Sequence, residues 1–280
     1  MPTEIEMFWK YYGKICDQEI LKEAMSAKIM FEGRPLQPEV CSEILHFMKF
    51  TNNAFTSEQL IQKSSNIYSG VDALFRDSNK NSRSDFDEFY KKTFDLIPWG
   101  HGTFHFDHDD GERRKNYLRR GVVVEKIKSL GVKSFLDYGG GCGHFSLLTS
   151  ALGIEKVEYC EYSIFHPYIL WRFSRIKNAC NFIAKDVENW AATDLVDCVL
   201  CFDVAEHVYD VNEMMQRISS SLKVGGFLFW VSVFGEGISC HIHPELKGKE
   251  DDFLQSYCFV RQENLPVNYV GHSGIFKKVK

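Results

Sequence analysis

The run Phe135-Leu136-Asp137-Tyr138-Gly139-Gly140-Gly141-Cys142-Gly143 constrains the fold of this chain more than any other stretch. An apolar, strand-like segment ends in an acid. Glycines follow at the alternate positions 139, 141 and 143, and an apolar, helix-like segment then runs over 144–152. Glycine at a strand-to-helix turn lets the backbone approach a ligand where a Cβ would stand in the way. The first turn of the helix beyond it offers N–H groups with no partner inside the helix. Such a turn implies that a nucleotide or cofactor meets the backbone at a strand end.

The pattern around the turn continues to the C-terminus. Strand-like runs at 134–138, 156–161, 181–185, 196–202 and 226–234 alternate with helix-like runs at 144–152, 164–179 and 211–222. Alternation of this kind predicts crossover connections and a mostly parallel sheet. Residues 251–263 read as a further helix. Residues 267–270 and 275–279 read as a closing hairpin around Gly271-His272-Ser273-Gly274, which adds an antiparallel edge. The expected class is α/β: a Rossmann-like, mostly parallel seven-stranded sheet with an antiparallel C-terminal hairpin, preceded by an all-helical cap.

That cap is residues 1–97, a helical cap or dimerisation domain. Helical periodicity dominates at 19–31, 39–50, 57–64 and 85–96, interrupted by Pro35, Pro38 and polar loops. Residues 55–75 also fit a helix-turn-helix-like unit capped by Thr56 or Ser57. No cluster of Lys or Arg accompanies it and the formal net charge is −5, so a nucleic-acid partner is not expected. Residues 98–114 form a His-rich lid or linker. His101, His105 and His108 stand there among Asp107, Asp109 and Asp110, a composition that suits a polar lid or a divalent ion. A basic, helix-like run at 112–130 leads into the third region, 115–280.

No window is apolar enough to span a membrane, and the start lacks the order of a signal peptide. The nine cysteines are odd in number and follow no disulfide spacing, so they read as free thiols of a cytoplasmic protein. Cys198 and Cys201 make a C-x-x-C pair inside a strand-like run. Three apart on a strand they face opposite sides, which suits buried structural thiols better than a metal or redox pair.

The dinucleotide fingerprint requires a small residue in its third position, but the two possible frames place His144 or Ser146 there. A phosphate loop fails as well, because no Gly-Lys-Ser/Thr follows. The pattern Asp-x-Gly-x-Gly-x-Gly at 137–143 instead resembles the first motif of class I S-adenosylmethionine-dependent methyltransferases of the small-molecule type. The resemblance covers residues 115–280. In it, Glu161 would accept hydrogen bonds from the ribose hydroxyls, and Asp186 would lie by the adenine amino group. Asp203-Val204-Ala205-Glu206-His207 is similar to the family's D-x-x-E-H segment, and the stretch 222–227 looks like its turn into strand five. Asp137 would orient the glycine turn and the methionine end of the cofactor. Gly139, Gly141, Gly143, Tyr162, Val187 and Asp203 complete the implied cofactor set.

The implied reaction is in-line attack by an oxygen or nitrogen of a small-molecule acceptor on the sulfonium methyl group. Positioning supplies much of such an acceleration, and a base helps only where the nucleophile must lose a proton. Glu206 and His207 are candidates, either to catalyse or to support the cofactor loop. His241 and His243 follow the fifth strand and should face substrate. With Glu245 they would also make a metal set of two nitrogens and one carboxylate. The preferred reading is one substrate-facing histidine and one structural one, with no metal ligand assigned. Trp9, Tyr11, Tyr12, Tyr117 and Arg120 are further candidates for the pocket. The expected partner is a small molecule, with no nucleic acid or membrane, and a homodimer contact would run through the N-terminal helices. Two other readings stay open: a non-catalytic S-adenosylmethionine-binding regulator, and a metal-dependent enzyme on the same scaffold.

Overall fold

The computed structural model describes residues 4–27, 29–31, 34–36, 38–78, 82–93, 110–176, 180–188, 190, 194–235 and 240–280. Its centre is a seven-stranded sheet. Strands β3 (Ser134–Tyr138), β4 (Lys156–Glu161), β5 (Asn181–Asp186), β6 (Val196–Phe202) and β7 (Leu222–Ser232) pair in parallel. Two more, β8 (Phe259–Glu263) and β9 (His272–Lys278), close the edge, with β9 antiparallel to both of its neighbours. The spatial order is β5-β4-β3-β6-β7-β9-β8. A remaining pair, β1 (Met30–Phe31) with β2 (Arg34–Pro35), forms a separate short ladder.

This order follows from the two faces of the central strands. Along β3 and β6, residues of both parities are apolar and buried, so both faces must be covered. Leu136, Cys201 and Trp230 pack on one face against Met214, Met215 and Ile218 of the helix Val211–Ser221. Phe135, Cys198 and Phe229 pack on the other against Val123 and Ile127 of the helix Asp110–Ser129. Cys198 and Cys201 thus lie in opposite layers, as strand geometry requires.

The N-terminal helices pack directly onto the second layer. Helix α1 (Glu4–Ile15) buries Phe8, Tyr11, Tyr12 and Ile15 against Leu147 and Leu148 of the helix His144–Ala151. A Cβ at Gly121 would collide with the Tyr11 ring, so glycine there lets α1 cross closely. Helices α2 (Gln18–Ser26), α3 (Pro38–Phe50), α4 (Ser57–Asp77) and α5 (Arg83–Thr93) follow. Tyr11 and Tyr12 lie in the core of this helical layer, and Trp9 packs against it. The Tyr12 hydroxyl donates to the Glu39 carbonyl at 3.2 Å and meets Glu43 Oε1 at 3.1 Å.

Beneath α3 runs a buried charged seam. Arg172 donates Nη1 and Nη2 to Glu43 Oε2 and Oε1, both at 3.1 Å, and both residues are almost fully buried. His144 Nε2 lies 3.3 Å from Arg172 Nη1. The arginine holds the Glu43 carboxyl well below its ordinary range despite burial, while burial pushes His46 and His144 down to about 4. The seam ties the helical N-terminus to the first residue after the glycine turn.

Four expectations of element boundaries change. The helix read over 19–31 ends at Ser26, and Met30–Phe31 is strand β1, so the N-terminal region is not all-helical. Residues 55–75 hold one continuous helix within Ser57–Asp77, not two helices and a turn. Its N-terminus is the expected one, a reciprocal capping box of Thr56 and Gln59. Residues 251–263 divide into a short helix, Glu250–Ser256, and strand β8. Cys258 breaks them apart with a left-handed φ of 66°. The closing hairpin accordingly pairs 259–263 with 272–278, and the 267–270 stretch is a loop with Val270 exposed. The helix Asp110–Ser129 runs across the 114/115 boundary that composition suggested. Among the described residues, no helix is long and apolar enough to cross a membrane.

Candidate cofactor and acceptor site

The chain leaves β3, moves outward through β4 and β5, then returns to place β6 on the other side of β3. Strand order therefore reverses between β3 and β6, and connections diverge from their carboxyl ends. A crevice opens at such a switch point, and ligands of open α/β sheets bind there. Two loops flank it: the glycine turn after Tyr138 and the 203–207 segment after Phe202. Tyr138 and Cys201 are register partners, which brings the two loops side by side.

The glycine turn is held from within. Gly139, Gly141 and Gly143 all adopt positive φ, at 70°, 50° and 71°. A Cβ on Gly139 would strike Val204, and one on Gly143 would strike Ile169. Two of the three glycines are thus demanded by packing and backbone conformation as well as by any ligand. Asp137 Oδ2 accepts the Ser146 amide at 3.0 Å and its hydroxyl at 2.7 Å. That carboxylate is buried and anchors the helix after the turn. Burial pushes it up to about 6, opposed by the Ser146 bonds and by Arg120.

Glu161 ends β4 beside the turn. Its Oε2 accepts the Gly141 amide and its Oε1 the Tyr162 amide, each at 2.9 Å. Burial nonetheless pushes it up to about 7. Asp186 is its register partner at the end of β5 and accepts the Glu188 amide at 2.9 Å, while Val187 donates its amide to the Glu161 carbonyl. The cofactor candidates Asp137, Gly139, Gly141, Gly143, Glu161, Tyr162, Asp186 and Val187 therefore line the carboxyl ends of three adjacent strands. Asp203 joins them across the crevice, with a left-handed φ of 54° and access to solvent.

On the β6–β7 side, two loops are cross-tied. The Ile242 amide donates to the Glu206 carbonyl at 2.7 Å, and His207 Nδ1 lies 3.1 Å from the Cys240 carbonyl. The His207 and His241 rings meet nearly edge to face, with centroids 4.6 Å apart. His241 Nδ1 lies 2.7 Å from the Val233 carbonyl, and partial burial lowers its pKa, which favours the neutral ring. Glu206 is fully buried, accepts the Val233 amide at 3.0 Å on Oε1, and is pushed up to about 7 by burial.

His243 differs from the other two histidines. Its Nε2 lies 2.7 Å from the Val208 carbonyl and its Nδ1 3.2 Å from Glu245. Both nitrogens face protein oxygens, so this ring holds the loop. The set of His241, His243 and Glu245 is accordingly replaced by Glu206, His207 and His241, which the fold brings together. The stretch 101–109 lies outside the described residues, as does the side chain of Tyr117.

Tyr90 is a site residue that sequence reasoning missed. It stacks on Tyr162 with centroids 5.7 Å apart and donates its hydroxyl to the His207 carbonyl at 2.8 Å. Burial keeps that phenol protonated. One side chain from α5 thus joins the cofactor end of the crevice to the histidine end. No local pattern marks it, because its partners lie far along the chain.

A methyltransferase-domain family matches residues 111–263. Ubiquinone biosynthesis O-methyltransferases of Pectobacterium carotovorum and Cronobacter sakazakii are 27% and 28% identical to the chain over 125 and 122 residues, 43% and 42% of its length. The chain spans about half the length of these curated relatives, 51% and 49%. Among solved structures, magnesium protoporphyrin IX methyltransferase from Synechocystis PCC 6803 with bound S-adenosylhomocysteine is 15% identical. Its TM-score is 0.51, over 68% of this chain and 97% of that one. Human N-acetylserotonin methyltransferase in complex with S-adenosylmethionine is 11% identical, with a TM-score of 0.50 over 85% of this chain and 70% of that one. At these identities the structures speak for the fold.

Proposed function

The chain belongs to the methyltransferase-domain family, and from that premise we propose that it transfers a methyl group from S-adenosylmethionine to a small-molecule acceptor, at oxygen or nitrogen. The single observation that carries the reading is the pairing of two unlike clusters across the switch point. One offers backbone and carboxylates at the ends of β3, β4 and β5; the other offers Glu206, His207 and His241. The residues present fit S-adenosylmethionine. Glu161 presents a carboxylate beside the positive-φ turn, and its oxygens now accept only two backbone amides, which leaves lone pairs for ribose hydroxyls. Asp186 and Val187 stand at the next strand end, and Tyr162 offers an aromatic face.

When bound, the cofactor supplies an electrophilic sulfonium methyl group. The chain's own residues then have to place the acceptor and relieve it of a proton. On His207 and His241, donation from Nδ1–H to a carbonyl leaves the lone pair on Nε2, the form that accepts a proton. Glu206 braces the loop that carries His207. Tyr90 closes the crevice from α5 and sets the position of the His207 backbone. The curated relatives are named as O-methyltransferases, which favours an acceptor oxygen. The acidic net charge favours a small molecule over nucleic acid, and the nine free thiols suit the cytoplasm.

Calorimetry with S-adenosylmethionine tests the cofactor site. Gly141→Val should abolish binding, and Glu161→Ala should weaken it. Unchanged affinity in both folded variants would overturn the assignment. Methyl transfer is then tested with a panel of hydroxyl and amine acceptors; cofactor binding without any transfer would support a binding protein instead.

A further inference from the structure

The Glu206 side chain is fully buried, and its Oε2 has no hydrogen-bond partner among the described residues. A carboxylate oxygen left so costs free energy unless something satisfies it. One donor atom each from Glu206, His207 and His241 lies within 4.8 Å of the other two. The backbone holds all three side chains in place. Glu206 Oε1 accepts a backbone amide, and the Nδ1 atoms of both histidines face backbone carbonyls. A ring nitrogen that faces a backbone carbonyl gives an imidazole the outer support that metal-bound histidines show.

We propose that Glu206, His207 and His241 form a binding site for a divalent transition-metal ion of the zinc class. Two imidazoles and one carboxylate are the donor types such ions take, and three protein ligands leave a position open. Metal–ligand bonds of about 2.0–2.2 Å hold donor atoms roughly 3–4 Å apart. Side-chain movement of about an ångström therefore closes the widest separation. The frame around the set is tied in place, because Ile242 and Cys240 bond the two loops to each other.

The binding stands apart from the proposed function; its role rests on that function. An acceptor hydroxyl in the open position would ionise more readily, its proton leaving to water. The oxygen then forms a bond to the methyl carbon as the carbon–sulfur bond breaks, and that electron pair stays on sulfur. In this arrangement the imidazoles hold the ion and not the proton.

The test uses the full chain expressed without a histidine tag, stripped with chelator and titrated with zinc chloride by calorimetry. One zinc per chain is expected. Glu206→Gln and His241→Ala, each checked for folding by circular dichroism, should weaken binding at least about 100-fold, the upper range for loss of a metal ligand's support. His272→Ala, which removes a histidine of the β8–β9 hairpin, should leave binding unchanged. Absence of stoichiometric zinc, or equal affinity in both site variants, overturns the proposal. Methyl transfer that runs at one rate with and without chelator overturns the catalytic role and leaves the methyltransferase reading intact. Zinc bound at the site with no transfer to any acceptor supports the metal site and overturns the methyltransferase reading.

Discussion

Two groups of acidic side chains in this protein are built on opposite principles. In the seam under α3, Glu43 meets Arg172 through two parallel hydrogen bonds and is held well below the ordinary carboxylate range. In the crevice, Glu161 and Glu206 accept only backbone amides, make no ion pair among the described residues, and are pushed up to about 7. The first arrangement pairs charge with charge inside the protein. The second leaves two carboxylates waiting for hydroxyls, a cation or a proton. Strongly raised acids in a cleft mark a functional site for this reason. The comparison separates charge that holds the fold from charge that serves it.

The largest effect should come from breaking the seam. Arg172→Met strands Glu43 in the interior and should cost about 3–5 kcal/mol in urea unfolding. Arg172→Met combined with Glu43→Gln should recover a substantial part. A single variant as stable as the parent would mean that the pair is not a structural bond.

Removing an acid from the crevice should act the other way. Glu161→Ala should weaken S-adenosylmethionine binding by about tenfold to a hundredfold, as expected for lost charge-assisted hydrogen bonds. Its unfolding midpoint should stay unchanged or rise, because a desolvated carboxylate has gone. A loss of stability as large as that of Arg172→Met would erase the distinction between the clusters.

Acid–base linkage sharpens the contrast. The folded value of Glu161, about 7, lies above its ordinary 4.5, so its contribution to stability is present below 4.5 and lost as pH rises toward 7. Glu161→Gln should therefore gain stability over the parent progressively between those limits, read from urea midpoints at several pH values. The seam has the opposite sign. His46 and His144, near 4 against an ordinary 6.5, lose stability as pH falls from 6.5 to 4, and Glu43 loses its share below its ordinary range. Parallel midpoints for Glu161→Gln and the parent across this range would count against a raised Glu161.

The smallest effect expected is at Tyr90. Tyr90→Phe keeps the stack on Tyr162 and loses only the bond to the His207 carbonyl, worth about 0.5–1.5 kcal/mol. It should lower turnover several-fold with little change in cofactor affinity. A loss in cofactor affinity alone would place Tyr90 on the Tyr162 side of the crevice.

Much of the sheet was legible because both signals involved are local. The runs 134–138, 156–161 and 196–202 are strands at those limits, since unbroken apolar runs buried on two faces leave little freedom. The segment 251–263 was not legible. Its apolar residues fit helical spacing, yet a left-handed Cys258 and a free edge on β9 turn its second half into a strand. The same holds for 55–75, where a break was expected and one helix formed.

The sequence by itself determined the strand–glycine–helix turn, the carboxylates at successive strand ends and the D-x-x-E-H segment, because each is written in contiguous residues with fixed local geometry. Only the tertiary structure decided what these groups do beside one another. It buried Glu43 against Arg172, 129 residues away, and set Tyr90 on the His207 carbonyl, 117 residues away. It tied up both nitrogens of His243 and brought His241 to His207 instead. Burial and pairing across such separations depend on how helices close over the sheet, and no local pattern encodes them.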